Sequence, residues 1–230
     1  AFDRALREVR DDDTIKAVVL TGSGGHFCAG GDIKSLSQAH AEGRGAFEGR
    51  DRIRHIQRWF DMLVDLEKPV ICAVNAICLG GGMELAMACH IRMASDRAKF
   101  GQPEILLGLI PGFGGTQRLM RLSGAAKARE LLLTGDQISA KDALDIGLVN
   151  QVVPEGRLLK EAIGLAKKIA SRPQAAARLI QKALREGGEK NLGEALELEA
   201  RLFGEVTETR DMKEGVRAFL EKRQPKFQNS

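Results

Sequence analysis

Leu79-Gly80-Gly81-Gly82-Met83-Glu84-Leu85-Ala86-Met87-Ala88-Cys89 is the stretch on which the reading of this chain turns. Three glycines end an apolar run and open a helical pattern, with a carboxylate in its first turn. Glycine permits tight turns and close approach of the backbone to a ligand. The first N–H groups of a helix lack intrahelical partners and carry partial positive charge. Such a loop offers backbone donors to an anion, with Glu84 beside them. A glycine run alone also describes a simple turn made for close helix packing, so its surroundings decide. The segment after Glu84 is apolar almost all round, which predicts a buried helix. A buried carboxylate is costly unless it is paired or functional.

Working outward, the same rhythm recurs. Upstream, Phe2 to Val9 has a helical apolar face, and Ala17-Val18-Val19-Leu20 reads as a buried strand. His26-Phe27-Cys28-Ala29-Gly30-Gly31-Asp32-Ile33-Lys34 follows a glycine-rich loop, and its own glycine pair again lets the backbone come close, with Asp32 suited to a turn or helix N-cap. Residues 36–50 are polar and glycine-rich and read as a mobile surface segment. Ile53 to Leu66 is helical in pattern and Val70 to Val74 a second buried strand. Downstream, Ile91 to Ala94 reads as a strand, Phe100-Gly101-Gln102-Pro103-Glu104 brings a second carboxylate, and Pro111-Gly112-Phe113-Gly114-Gly115-Thr116 opens another helix. Three strand–loop–helix units make an α/β rhythm. Beyond Gly124 helices dominate: Ala125–Leu133, a capped start at Ser139, then Leu158–Ala170, Pro173–Glu186, Leu192–Thr207 and Met212–Lys222. The expected division is a core over 1–160 and a helical region over 161–230.

Composition narrows the function. The chain has 230 residues, enough for a sizeable core. A formal charge of +4 suits an anionic ligand but is too mild and too dispersed for a nucleic-acid partner, and the absence of tyrosine argues against base stacking. Cys28, Cys72, Cys78 and Cys89 show no C-x-x-C spacing and read as free thiols in a reducing compartment. His26, His40, His55 and His90 lack ligand spacing, so no metal site is expected. No apolar run reaches the about 18 residues of a membrane span, and no signal peptide is visible. Glu84 and Glu104, each beside glycine or proline and apolar neighbours, are the two acids that could share acid and base duties.

The motifs Ala29-Gly30-Gly31-Asp32, Gly80-Gly81-Gly82-Met83-Glu84-Leu85-Ala86, Phe100–Glu104, Ile110–Thr116, Thr134-Gly135 and Ala143-x-x-x-Gly147-Leu148-Val149 occur in that order. Together they resemble the crotonase, or enoyl-CoA hydratase, superfamily over nearly the whole chain. The resemblance implies a spiral of ββα units with a C-terminal helical region that packs in trimers, often paired as hexamers. It implies an acyl-CoA thioester as ligand and no cofactor besides, coenzyme A being part of the substrate. It implies an oxyanion hole from the backbone N–H groups of Gly31 and Gly81, and Glu84 and Glu104 as catalytic acids for hydration of a trans-2-enoyl-CoA. Ala29, Asp32, Ile33, Lys34 and Gly112 match substrate-contacting positions, and Phe219 and Lys222 match positions that reach the CoA of a neighbouring subunit. A cytoplasmic location follows, or the mitochondrial matrix if a removed transit peptide preceded Ala1, since the family's first strands lie upstream of it.

Three positions depart from the family pattern: Gly31 in place of a common alanine, Ala76 in place of a glycine, and His90 in place of an aspartate near the site. His90 therefore bears on the pH optimum and efficiency. Alternatives within the resemblance are an enoyl-CoA isomerase or another enolate-forming reaction, which need only one acid. Outside enzymology they are an RNA-binding or non-catalytic relative.

Overall fold

The structure, a computed structural model, describes residues 2–34, 38, 41 and 46–228. His40 and most of the polar segment expected to be mobile lie outside the described residues. In chain order the elements are α1 (Phe2–Asp11), β1 (Val18–Thr21), β2 (His26–Cys28), α2 (Ala46–Val64), β3 (Val70–Val74), β4 (Ile77–Leu79), α3 (Gly81–Ala88), β5 (Ile91–Ser95) and β6 (Lys99–Gly101). A 3₁₀ turn (Pro103–Leu107) precedes α4 (Gly115–Ser123), α5 (Ala125–Thr134), β7 (Gln137–Ser139), α6 (Ala140–Asp145) and β8 (Gln151–Val153). After a second 3₁₀ turn (Glu155–Arg157) come α7 (Leu158–Ala170), α8 (Gln174–Gly187), α9 (Leu192–Thr207) and α10 (Arg210–Leu220).

Two compact units result. The larger comprises residues 19–64 and 70–163. It holds two four-stranded sheets, ordered β1-β3-β5-β8 and β2-β4-β6-β7. Each turn of chain gives one strand to each sheet and then a helix: β1, β2, α2; β3, β4, α3; β5, β6, α4. The β2–β4, β3–β5, β4–β6 and β5–β8 pairs are parallel, and β6–β7 is antiparallel. This is the ββα spiral that the resemblance implied. β3 is wholly apolar and wholly buried, as a parallel strand covered on both faces must be. The three-residue strands of the second sheet are too short to show a period, so sequence pattern could not distinguish them from loop.

Glycine-to-backbone contacts bring the turns together. A Cβ on Gly82 would lie 2.1 Å from the Cys28 carbonyl oxygen, so only glycine lets the start of α3 reach the end of β2. Gly30 (φ 108°) faces Gly80 and Gly81 in the same way, with the Gly81 nitrogen 3.4 Å from the point its Cβ would occupy. α6 begins with a reciprocal capping box: Ser139 Oγ accepts from the Asp142 N–H while Asp142 accepts from the Ser139 N–H.

The smaller unit gathers residues 1–18, 65–69 and 164–230. Lys68 Nζ donates to the carbonyls of Val9, Arg10 and Asp12, placing an ammonium at the C-terminal end of α1, where the helix dipole favours a cation. α8 and α9 pack through Leu179, Leu198 and Leu202. Asn191 and Thr209 cap α9 and α10.

Gly82→Ala is expected to destabilise the fold by about 1–3 kcal/mol, the usual cost of overpacking against backbone that cannot yield. Urea unfolding followed by circular dichroism checks this. Gly25→Ala, where a Cβ meets open space, serves as the control.

Candidate active site

Glu84 sits in the first turn of α3 and is buried, its side chain within a helix that is apolar on nearly every face. Its Oε1 accepts two short hydrogen bonds, from the Phe113 N–H and the Gly115 N–H, each 2.7 Å long. Burial pushes the carboxyl up to about 7; the two N–H donors oppose that rise, the nearby Glu104 adds to it and Arg118 opposes it. Glu84 is thus poised between charge states near neutral pH.

Glu104 lies in the 3₁₀ turn after β6 and is half-buried, which raises its carboxyl too. Its Oε1 stands 3.0 Å from where a Cβ on Gly80 would be, so the second acid faces the glycine loop directly. Gly80 adopts φ 51°, ψ −127°, a conformation open to glycine, and its N–H donates to the Gly101 carbonyl at 2.9 Å, tying the loop to β6.

The backbone expected to bind an oxyanion converges on the same place. Gly81 is the first residue of α3, where the N–H has no intrahelical acceptor. The Gly31 nitrogen is 3.6 Å from the position of a Cβ on Gly81. The structure therefore brings Gly31, Gly81, Glu84 and Glu104 together, from three turns of the spiral.

Other expected residues fall as follows. Ala29 and Ile33 are exposed on either side of the Gly30-Gly31 turn. Asp32 accepts from the Lys34 N–H at 3.0 Å, shaping the turn. The Gly112 carbonyl accepts from Gln57 on α2, at 2.7 Å. Phe219 and Lys222 lie in the smaller unit, at the end of α10; Phe219 is 81% exposed, and Lys222 takes a positive φ of 54°. His90 meets backbone at the start of β3. Nδ1 accepts from the Val70 N–H at 3.0 Å, and Nε2, carrying the proton in that tautomer, is 3.2 Å from the Val64 carbonyl. His90 secures the entry to β3 with both ring nitrogens, beyond the end of α3 remote from Glu84.

Sequence reasoning missed four contributors. Gln102 is fully buried, and its amide end lies 3.0 Å from each Glu104 carboxylate oxygen, the NH₂ being assigned to that side by its hydrogen-bonding surroundings. A buried Gln in the Gly101-Gln102-Pro103-Glu104 turn was the only signal for it. The Phe113 and Gly115 N–H donors are backbone and carry no side-chain signature. Arg118 has its Nη1 on the Phe113 carbonyl at 2.7 Å. The four cysteines are free; Cys72, Cys78 and Cys89 are buried, and burial raises the thiols of Cys72 and Cys78.

Two acids stand beside a glycine loop on a spiral of ββα turns, the arrangement that the resemblance implied. The chain belongs to the enoyl-CoA hydratase/isomerase family, whose profile matches residues 2–230. It is 46% identical over 224 residues to a crotonyl-CoA hydratase of Syntrophomonas wolfei, an alignment covering 97% of this chain and 84% of the relative. It is 43% identical over 228 residues to a mitochondrial enoyl-CoA hydratase of Pongo abelii, covering 99% and 76%. The crystal structure of an enoyl-CoA hydratase from Bacillus anthracis superposes with a TM-score of 0.92 at 40% identity, covering 100% of this chain and 87% of that one.

Holding Glu84 in the interior has a stability consequence. Its carboxyl rises from an ordinary 4.5 to about 7 on folding. A raised carboxylic pKa means that the folded state holds the proton more tightly, so stability is greatest below the unfolded value and falls as pH rises from 4.5 through 7. Glu84→Gln removes this titration while its amide oxygen can still accept both N–H bonds. It is expected to melt several degrees higher than the wild type at about pH 8, with a smaller gain at about pH 5. Paired calorimetric scans at the two pH values check it.

Proposed function

We propose that this chain adds water across the 2,3 double bond of a trans-2-enoyl-CoA to give 3-hydroxyacyl-CoA. The observation that carries the reading is the pair Glu84 and Glu104, both withdrawn from water beside one glycine loop. An isomerase needs only one such acid. The thioester carbonyl lies against the N–H groups of Gly31 and Gly81. Ionised Glu84 takes a proton from water as its oxygen bonds to C3, and the π electrons move onto the thioester oxygen. The enolate oxygen is where negative charge is largest, and fixed donors stabilise it most there; one such donor is worth about 3–4 kcal/mol. Protonated Glu104 then gives its proton to C2. Proton exchange with solvent resets the pair, and the net change is addition of one water.

General acid–base chemistry on a thioester calls for no metal or redox group, so the coenzyme A of the substrate is the one carrier required. Among the described residues, no helix is long and apolar enough to cross a membrane. Four free thiols suit the reducing cytoplasm or the mitochondrial matrix. We further infer a trimer, or a hexamer of paired trimers. Leu106, Ile110 and Leu133 in the larger unit and Leu192, Phe203, Phe219 and Leu220 in the smaller are each more than two-thirds exposed, more large apolar surface than a monomer ordinarily shows. In such an assembly Phe219 and Lys222 would meet the CoA of a neighbouring copy.

With crotonyl-CoA, purified protein is expected to bleach the enoyl-thioester absorbance with a mass gain of one water. Glu84→Gln and Glu104→Gln are each expected to lower kcat by on the order of 10²–10⁴ with KM little changed. In the wild type, kcat/KM should fall as pH drops below about 7, where Glu84 takes up its proton. Full turnover in either single variant would overturn the mechanism. Light scattering on the eluting protein should return a mass of three or six chains.

A further inference from the structure

The groups that aim Glu84 belong to a loop with little stiffness of its own. Three of the five residues from Pro111 to Gly115 are glycine. Phe113 and Gly115 turn their N–H groups to Glu84 Oε1. The opposite side of the same loop is held from α2 and α4. Gln57 binds the Gly112 carbonyl, and the Phe60 ring meets the Phe113 ring edge-on with centroids 5.9 Å apart. The third hold is charged. Arg118 Nη1 donates to the Phe113 carbonyl at 2.7 Å, and its Nη2 reaches Asp61 Oδ1 on α2 at 3.3 Å.

Phe113 therefore has its N–H on a carboxylate and its C=O on a guanidinium. The Phe113 carbonyl belongs to the 113–114 peptide, which lies between the two peptides whose N–H groups meet Glu84, so the guanidinium pins the link that sets their spacing, while Gln57 on the Gly112 carbonyl holds the plane of the Phe113 N–H itself. Gly114 makes room for this: a Cβ there would fall 2.2 Å from Arg118 Nη1, and its φ is 105°. The Arg118 side chain is 21% exposed and that of Asp61 57%. The Asp61 pair accordingly adds little energy by itself and acts by orienting the guanidinium.

We propose that Arg118 is a positioning residue for Glu84: oriented by Asp61, it clamps the Phe113–Gly115 turn whose N–H groups aim the catalytic carboxylate. The inference rests on the acid–base reading above. The charged groups that bear on Glu84 are Glu104, which opposes its ionisation, and Arg118, which favours it. Removing Arg118 thus loosens the two N–H donors and withdraws a cation; both effects raise the Glu84 carboxyl, a shift that a residue serving only the stability of the fold away from this loop would not produce.

The test compares Arg118→Met, Arg118→Lys and Asp61→Asn with the wild type and Glu84→Gln, reading kcat, KM, melting temperature and the pH profile on crotonyl-CoA. Wild-type hydration and its loss in Glu84→Gln establish the underlying reading separately; their failure sinks that reading and not merely the clamp. Given both, Arg118→Met is expected to lower kcat about 10- to 100-fold with KM within about threefold, and to move the acid limb upward by roughly half a unit or more. Arg118→Lys keeps the charge but not the forked geometry, so it should recover the limb more fully than kcat. Asp61→Asn should lower kcat by about threefold in the same direction. A folded Arg118→Met with wild-type kcat, or with reduced kcat and an unmoved limb, overturns the clamp. If that variant does not fold, wild-type kcat in both Arg118→Lys and Asp61→Asn overturns it.

Discussion

A carboxylate inside an apolar helix cannot stay ionised without donors, and α3 supplies none to its own Glu84. The Phe113 and Gly115 N–H groups supply them, and most of the architecture follows from getting them there. Helix α3 must lie low enough on the spiral for Glu84 to meet the next turn's loop, which requires Gly82 against the Cys28 backbone. The loop must approach without side chains in the way, which requires Gly115, where a Cβ would stand 2.9 Å from Glu84 Oε1 and 2.7 Å from Pro111 Cβ. The same constraint that seats the acid thus selects the glycines around it.

The site is consequently a place where stability is given up. Glu84 is withdrawn from water, Glu104 half so, and the nearby Glu104 adds to the cost of ionising Glu84. An apolar side chain at either position would relieve the burial cost of the carboxylate and, on the proposed mechanism, abolish the chemistry. The rest of the fold offsets this with conventional means: a fully buried β3, a reciprocal cap on α6, and His90 spending both ring nitrogens on backbone at the entry to β3.

Much of this was legible beforehand for a definite reason. Long helices such as α7 and α9 span enough turns to display their period, and β3 and β5 are dense in β-branched or apolar residues, so these elements stood out. Glu84 and Glu104 were legible because charge in an apolar setting is anomalous whatever the fold. The strands of the second sheet, at three residues, carry no period. Lys68, which closes the end of α1, had no local signal because its acceptors are carbonyls more than fifty residues away.

The sequence by itself determined which residues could be buried, where the chain could turn, and which two acids were out of place. Those properties are local: side-chain polarity, the conformational freedom of glycine, helical period. Only the tertiary structure decided that Gly31 and Gly81 lie side by side, that Gln102 reaches Glu104, and that Arg118 holds the carbonyl of the loop residue whose N–H meets Glu84. These are distances between groups on different turns of the spiral, and most of the groups are backbone N–H and C=O, which every residue carries alike. Their direction is set by packing, so no residue's identity could announce it.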